Sequence, residues 1–135
     1  MLARHLRCAA ALVVVVFTSA SCRFEPDGAA PLDVPDAYRT WWADLERCAQ
    51  RSADFDRLRF WTVKGETFPC PDGPCAGRWQ SPHHIYIAER WINHPALVKH
   101  EMLHDLLGTG DHPPATFGPA GCNLFWSRPA PSGAT

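Results

Sequence analysis

The 135 residues contain no long hydrophobic run, no basic block and no internal repeat. The longest apolar stretch is CAAALVVVVF, from Cys8 to Phe17. It falls short of the roughly 20 residues that a membrane-spanning helix needs. Without a cluster of Lys and Arg, the chain is poor material for gripping phosphate backbones, so nucleic acid is not an expected partner. Without a repeat, a stacked array is excluded, and the length suits one domain.

What is present begins with MLARHLR, which carries Arg4 and Arg7 and no acid. The apolar run follows, then the small residues Thr18 to Ser21, then Cys22. A charged start, a short apolar core and a small-residue end predict a secretory signal peptide over residues 1–21. The stretch SASC resembles the lipobox of bacterial lipoproteins, with Ser19 where that signal usually has Leu. It makes Cys22 the lipidation candidate, and simple cleavage near Ala20 is the alternative. Cys8 leaves with the signal. If Cys22 takes lipid, Cys48, Cys70, Cys75 and Cys122 remain, an even number suited to an oxidising compartment. Four cysteines allow three pairings, and sequence does not choose among them. We expect Cys70 with Cys75 across the turn PDGP, and Cys48 with Cys122. Loss of residues 1–21 removes two of 13 basic side chains and none of the 14 acidic ones, leaving a net charge near −3 with His neutral.

Residues 22–35, rich in Pro, Gly and Asp, read as a tether. In DAYRTWWADLERCAQ the apolar positions Ala37, Trp41, Leu45 and Cys48 recur at helical spacing, which predicts an amphipathic helix over 36–50. RLRFWTV (57–63) reads as a strand. GETFPCPDGPCA (65–76), with three prolines, reads as a turn-rich loop. Gly77 to Gln80 can form a strand, and HIYIAE (84–89) forms another, with Ile85 and Ile87 alternating against Tyr86 and Ala88. A helix then opens at His94-Pro95, where Pro fits the first turn. It closes at Gly108, placed as a helix-ending glycine. Leucines on several sides of this helix predict burial. From Thr109 onward no element is expected, and residues 127–135 read as a disordered tail.

The buried helix carries the chemistry, in KHEMLHDLLGTGDHP, residues 99–113. His100 and His104 stand four apart, so they share one helix face and can both reach one Zn²⁺. Glu101 lies about a quarter-turn around the helix, near a metal but not on it. A carboxylate there can take a proton from zinc-bound water and pass it to a leaving amine. The alternative is a helix whose histidines are satisfied by hydrogen bonds; burying two His and a Glu among leucines without partners is costly.

His100-Glu101-Met102-Leu103-His104 resembles the H-E-x-x-H signature of the zincin metallopeptidases. The gluzincin branch takes its third ligand from a downstream glutamate, and no Glu follows Glu101. The metzincin pattern, H-E-x-x-H-x-x-G-x-x-H, resembles the segment best, although Gly108 comes one residue late and His112 two. That resemblance implies His112 as third ligand, with Asp111 as an alternative ligand or as an outer carboxylate orienting an imidazole. L-H-D-L-L-G-T-G-D-H is also similar to the zinc site of a bacterial endoribonuclease family, which again implies His112. Metzincins floor the site with a methionine turn. Here the only methionines are Met1 and Met102, so another residue must take that place, and Phe117 in ATFG is the candidate. In metzincins the strand before the active helix pairs with peptide substrate at the sheet edge. The resemblance assigns HIYIAE that part. His83 and His84 could face the cleft but read first as surface residues before a strand.

The expectation is an α+β, zincin-like domain over 36–126: an N-terminal helix, a small twisted, mainly antiparallel sheet and an active-site helix. It would be a monomeric zinc metallopeptidase acting on peptide or protein. It would be exported, either secreted or periplasmic, or held at the outer or cytoplasmic membrane through a lipid on Cys22. The alternative is a non-enzymatic zinc-binding or interaction lipoprotein that uses the same site structurally.

Overall fold

The computed structural model describes residues 23–125; the expected signal peptide, Cys22 and the expected tail lie outside the described residues. Six strands, β1 (Ala30–Pro31), β2 (Arg59–Val63), β3 (Phe68–Cys70), β4 (Gly73–Cys75), β5 (Gly77–Gln80) and β6 (His84–Ala88), accompany three helices, α1 (Ala37–Ala49), α2 (Pro95–Leu107) and α3 (Pro114–Phe117). The class is α+β.

The main sheet has the order β1-β2-β6-β5, and β3 and β4 form a separate hairpin. β1 and β5 run antiparallel to their neighbours, whereas β2 and β6 are parallel, with Phe60 beside Ile85 and Trp61 beside Tyr86. The sheet is therefore mixed, antiparallel in two pairings of three. A parallel pair needs a crossover, and here the β3–β4 hairpin and β5 supply it.

Strand alternation sends β6 to two cores. Ile85 and Ile87 meet Tyr38, Trp42 and Leu45 of α1 and Leu97, Val98, Met102, Leu103 and Leu106 of α2. Tyr86 and Ala88 face the other way, onto Val63, Phe68 and Phe24. The buried face of α1 is Tyr38, Trp42 and Leu45, with Trp41 half-buried against Tyr38, their ring centroids 5.2 Å apart. The expected face of Trp41, Leu45 and Cys48 is thus rotated by about a residue.

Four further expectations are corrected. Residues 65–76, read as a turn-rich loop, carry the β3–β4 hairpin. The segment read as a tether is not free along its length: Ala30–Pro31 pairs with β2, and Tyr86 donates its hydroxyl to the Phe24 carbonyl at 3.2 Å. Phe24 and Ala29 cover an apolar sheet face that would otherwise meet water. HIYIAE is not the sheet edge. β6 lies between β2 and β5, and the edge strands are β1 and β5. A single turn of helix, α3, follows Thr109 where none was expected; four residues carry too little periodicity to read.

α2 is bounded as its sequence dictates. Pro95 begins it, the His94 ring accepts from Leu97 N–H at 3.3 Å, and Gly108 closes it in the left-handed region at φ 69°. Nine of its 13 residues are buried, among them His100, Glu101, His104 and Asp105.

Candidate metal centre

α2 places the His100 and His104 rings on one face, and the chain reverses after Gly108 to bring His112 back beneath them. Their donor nitrogens lie within 4.8 Å of one another. His100 Nε2 is 3.2 Å from His104 Nε2 and 3.0 Å from His112 Nε2. Ligands at zinc–imidazole distances in a tetrahedron stand about 3.3 Å apart, so the spacing suits one shared ion.

The tautomers strengthen this reading. His100 Nδ1 lies 2.6 Å from the Leu124 carbonyl, and His104 Nδ1 lies 2.9 Å from the Thr109 carbonyl. A carbonyl only accepts, so both Nδ1 atoms carry hydrogen, which leaves both Nε2 atoms as bare lone pairs in the neutral rings. Two lone pairs facing at 3.2 Å repel unless a cation sits between them. Orienting carbonyls on the far ring nitrogen are the arrangement that metal-bound imidazoles use. Burial pushes the His100 pKa down and that of His104 to about 4, so neither ring relieves the repulsion by taking a proton near neutral pH. An imidazole triad suits Zn²⁺ and other borderline transition ions.

Phe117, fully buried, floors the triad. Its ring centroid is 5.1, 4.9 and 4.9 Å from those of His100, His104 and His112. An aromatic ring thus stands where the resemblance called for a substitute for the methionine turn.

Glu101 turns toward β5. Its Oε2 accepts from the Trp79 backbone N–H at 2.8 Å. Burial raises its pKa to about 7 against the opposing pull of that N–H and of Arg78. A carboxyl poised near neutrality can both accept and return a proton. Gly77 makes room for it. A Cβ there would lie 3.0 Å from Glu101 Cγ and 3.1 Å from its Oε1. Glu101, the three imidazoles, Gly77, Arg78 and Trp79 line one cleft of about 320 Å³.

Asp105 points away from the triad, with its side chain wholly buried. It accepts from Arg57 Nε at 2.9 Å and from Trp79 Nε1 at 2.9 Å, and His83 Nδ1 lies 3.0 Å away. The Trp79 indole stacks on His104 at 6.1 Å. Trp79 is therefore clamped by two α2 carboxylates, through its backbone and through its ring.

The structure brings together His100, His104, His112 and Glu101. Asp111 is exposed, and neither expected role finds support in its contacts: it is not in the nitrogen cluster, and the orienting parts fall to the carbonyls of Thr109 and Leu124. The reason is the turn itself, where Asp111 N–H binds Thr109 Oγ1 at 3.1 Å and the chain delivers the next residue instead. His83 is held by Asp105 and His84 by Trp61 Nε1 at 2.9 Å, so neither joins the cluster. Sequence reasoning missed Trp79, Arg57 and the two carbonyls. Only Trp79 left a signal, an aromatic on a short edge strand. Cys48–Cys122 and Cys70–Cys75 are disulfide-bonded. Comparison with known protein families, with curated proteins and with solved structures returns no match.

Proposed function

We propose that this chain is a small exported zinc metallopeptidase. The carrying observation is the convergence of three imidazole Nε2 atoms beside a buried carboxylate on the same helix. Three protein ligands leave a fourth position open, as catalytic zinc sites do and closed structural sites do not. Zinc held by His100, His104 and His112 would supply a Lewis acid that polarises the scissile carbonyl and acidifies water. Glu101 then takes the proton of the attacking water and returns it to the leaving amine. β5, an open edge beside these groups, suits an extended peptide laid along it. Two disulfides suit an oxidising compartment.

The test is zinc content and peptide hydrolysis by the oxidised protein beside two variants. We expect one zinc per chain. His112→Ala should lose it, and Glu101→Gln should keep it while losing hydrolysis by about a hundredfold or more. Zinc without hydrolysis in the wild type, together with a melting temperature that rises on zinc binding, would favour the structural alternative. A chain that takes up no zinc on reconstitution would sink both.

A further inference from the structure

Arg78 sits in the middle of the edge strand β5, and its charge, although felt by Glu101, is matched by no paired carboxylate. Among the described residues it forms no ion pair, and its Nε is buried without a hydrogen-bond partner. Buried polar atoms in folded proteins almost always find partners, so each exception asks for a reason. The guanidinium is held in place rather than waving in solvent. Its carbon lies 4.6 Å from the centre of the Phe24 ring, and Phe24 packs edge-on against Tyr86 at 5.7 Å.

The register of β5 says what that charge can meet. Ala88 N–H donates to the Ala76 carbonyl at 2.8 Å, so by the alternation of an antiparallel ladder Ala76 and Arg78 turn their backbone groups inward to β6. Gly77 and Trp79 turn theirs outward, and the Trp79 N–H does leave the sheet, for Glu101. A peptide strand added at this edge would bond through Gly77 and the Trp79 carbonyl, since the Trp79 N–H is held by Glu101. Its residue opposite Arg78 would sit in the closer, non-hydrogen-bonded pair, with its side chain on the Arg78 face. Trp79 faces α2, so Arg78 faces the other side, over Phe24. We infer that Arg78 is a specificity residue that selects an acidic side chain, Asp or Glu, at the substrate position facing it across the edge. This rests on the metallopeptidase reading.

The test uses binding as well as cleavage. Zinc-loaded Glu101→Gln protein would be titrated with fluorescent heptapeptides that carry one Glu or one Gln at each position in turn. We expect one position at which Glu binds about fivefold tighter than Gln. The ratio should fall to about one in the added variant Arg78→Gln, persist in part in Arg78→Lys, and reverse in Arg78→Glu. No discriminating position, or discrimination that survives Arg78→Gln, overturns the inference. So does an equal loss for Glu and Gln peptides, which would mean that Arg78 only pins Phe24. The two readings fail separately. Wild-type cleavage with no Glu preference removes the role of Arg78 and leaves the peptidase. Charge-selective binding that depends on Arg78, with no cleavage by the wild type, removes the peptidase and leaves an acidic-peptide site.

Discussion

Single buried side chains on α2 work against folding, and their titrations expose this. Burial raises the folded-state pKa of Glu101 to about 7 from 4.5. Its contribution to stability is full below 4.5 and is lost as pH rises through 7. Burial lowers that of His104 from 6.5 to about 4. Its contribution is present above 6.5 and is lost as pH falls through 4. Between about pH 4.5 and 6.5 the two slopes oppose. In the metal-free protein, Glu101→Gln should remove one of them, so that the urea midpoint climbs with pH more steeply than in the wild type over that window. An unchanged profile would show that burial does not raise the Glu101 pKa above its ordinary value. Phe117 gives a second outcome. Phe117→Ala should cost about 3–5 kcal/mol of unfolding free energy and weaken zinc retention, since it removes the floor under all three rings. A zinc affinity unchanged in that variant would reduce Phe117 to core packing. At this scale the sequence was readable where chemistry lies in side-chain identity: His100, Glu101, His104 and His112 stand out by type and spacing. The carbonyls of Thr109 and Leu124 do not, because every residue offers a carbonyl and only the fold decides which one faces a ring.

Between elements, the contact that matters most for the site is α2 against β5. Gly77 has ordinary backbone dihedrals, so its need for glycine is one of space: a methyl group would press on Glu101 and on Leu97 Cδ1 at 3.1 Å. Gly77→Ala should therefore displace the carboxylate. We expect kcat to fall about tenfold or more with zinc content unchanged, and a melting temperature close to wild type where the neighbours yield. Unchanged kcat would show that Glu101 needs no such seat. The elements themselves were largely legible. α2 announced both ends with Pro95 and Gly108, and β6 announced itself as a strand by the alternation of Ile85 and Ile87 against Tyr86 and Ala88. Their arrangement was not. β5 and β6 read alike as short strands, and which of them forms the edge depends on the parallel pairing of β2 with β6, a contact between residues some 25 apart that no local pattern encodes. The early segment misled for a related reason: Pro and Gly mark irregular backbone, and irregular backbone can still cover a sheet face.

Across the whole molecule, one disulfide ties the first helix to the C-terminal segment that orients a site histidine. Cys48 closes α1, and Cys122 lies two residues before Leu124, whose carbonyl orients His100. The bond spans 74 positions, whereas Cys70–Cys75 spans only 5. Loop-closure entropy assigns the long bridge about 4 kcal/mol and the short one about 2. The consequences for the metal should differ more than those figures suggest. Without the long bridge, residues 118–125 rest on the Leu124 side chain, the Phe125 ring against Phe117 and a few backbone bonds, so the carbonyl on His100 Nδ1 loosens and the imidazole loses its fixed tautomer. Paired Cys48→Ala and Cys122→Ala should therefore lower zinc affinity about tenfold to a hundredfold at a temperature where the variant is still folded. Paired Cys70→Ala and Cys75→Ala should leave affinity within a few-fold of wild type. Competition with a chromogenic chelator reads both. Equal losses from the two pairs would mean that the bridges act only through global stability. A selective loss from the first pair would mean that the C-terminal segment is part of the metal site.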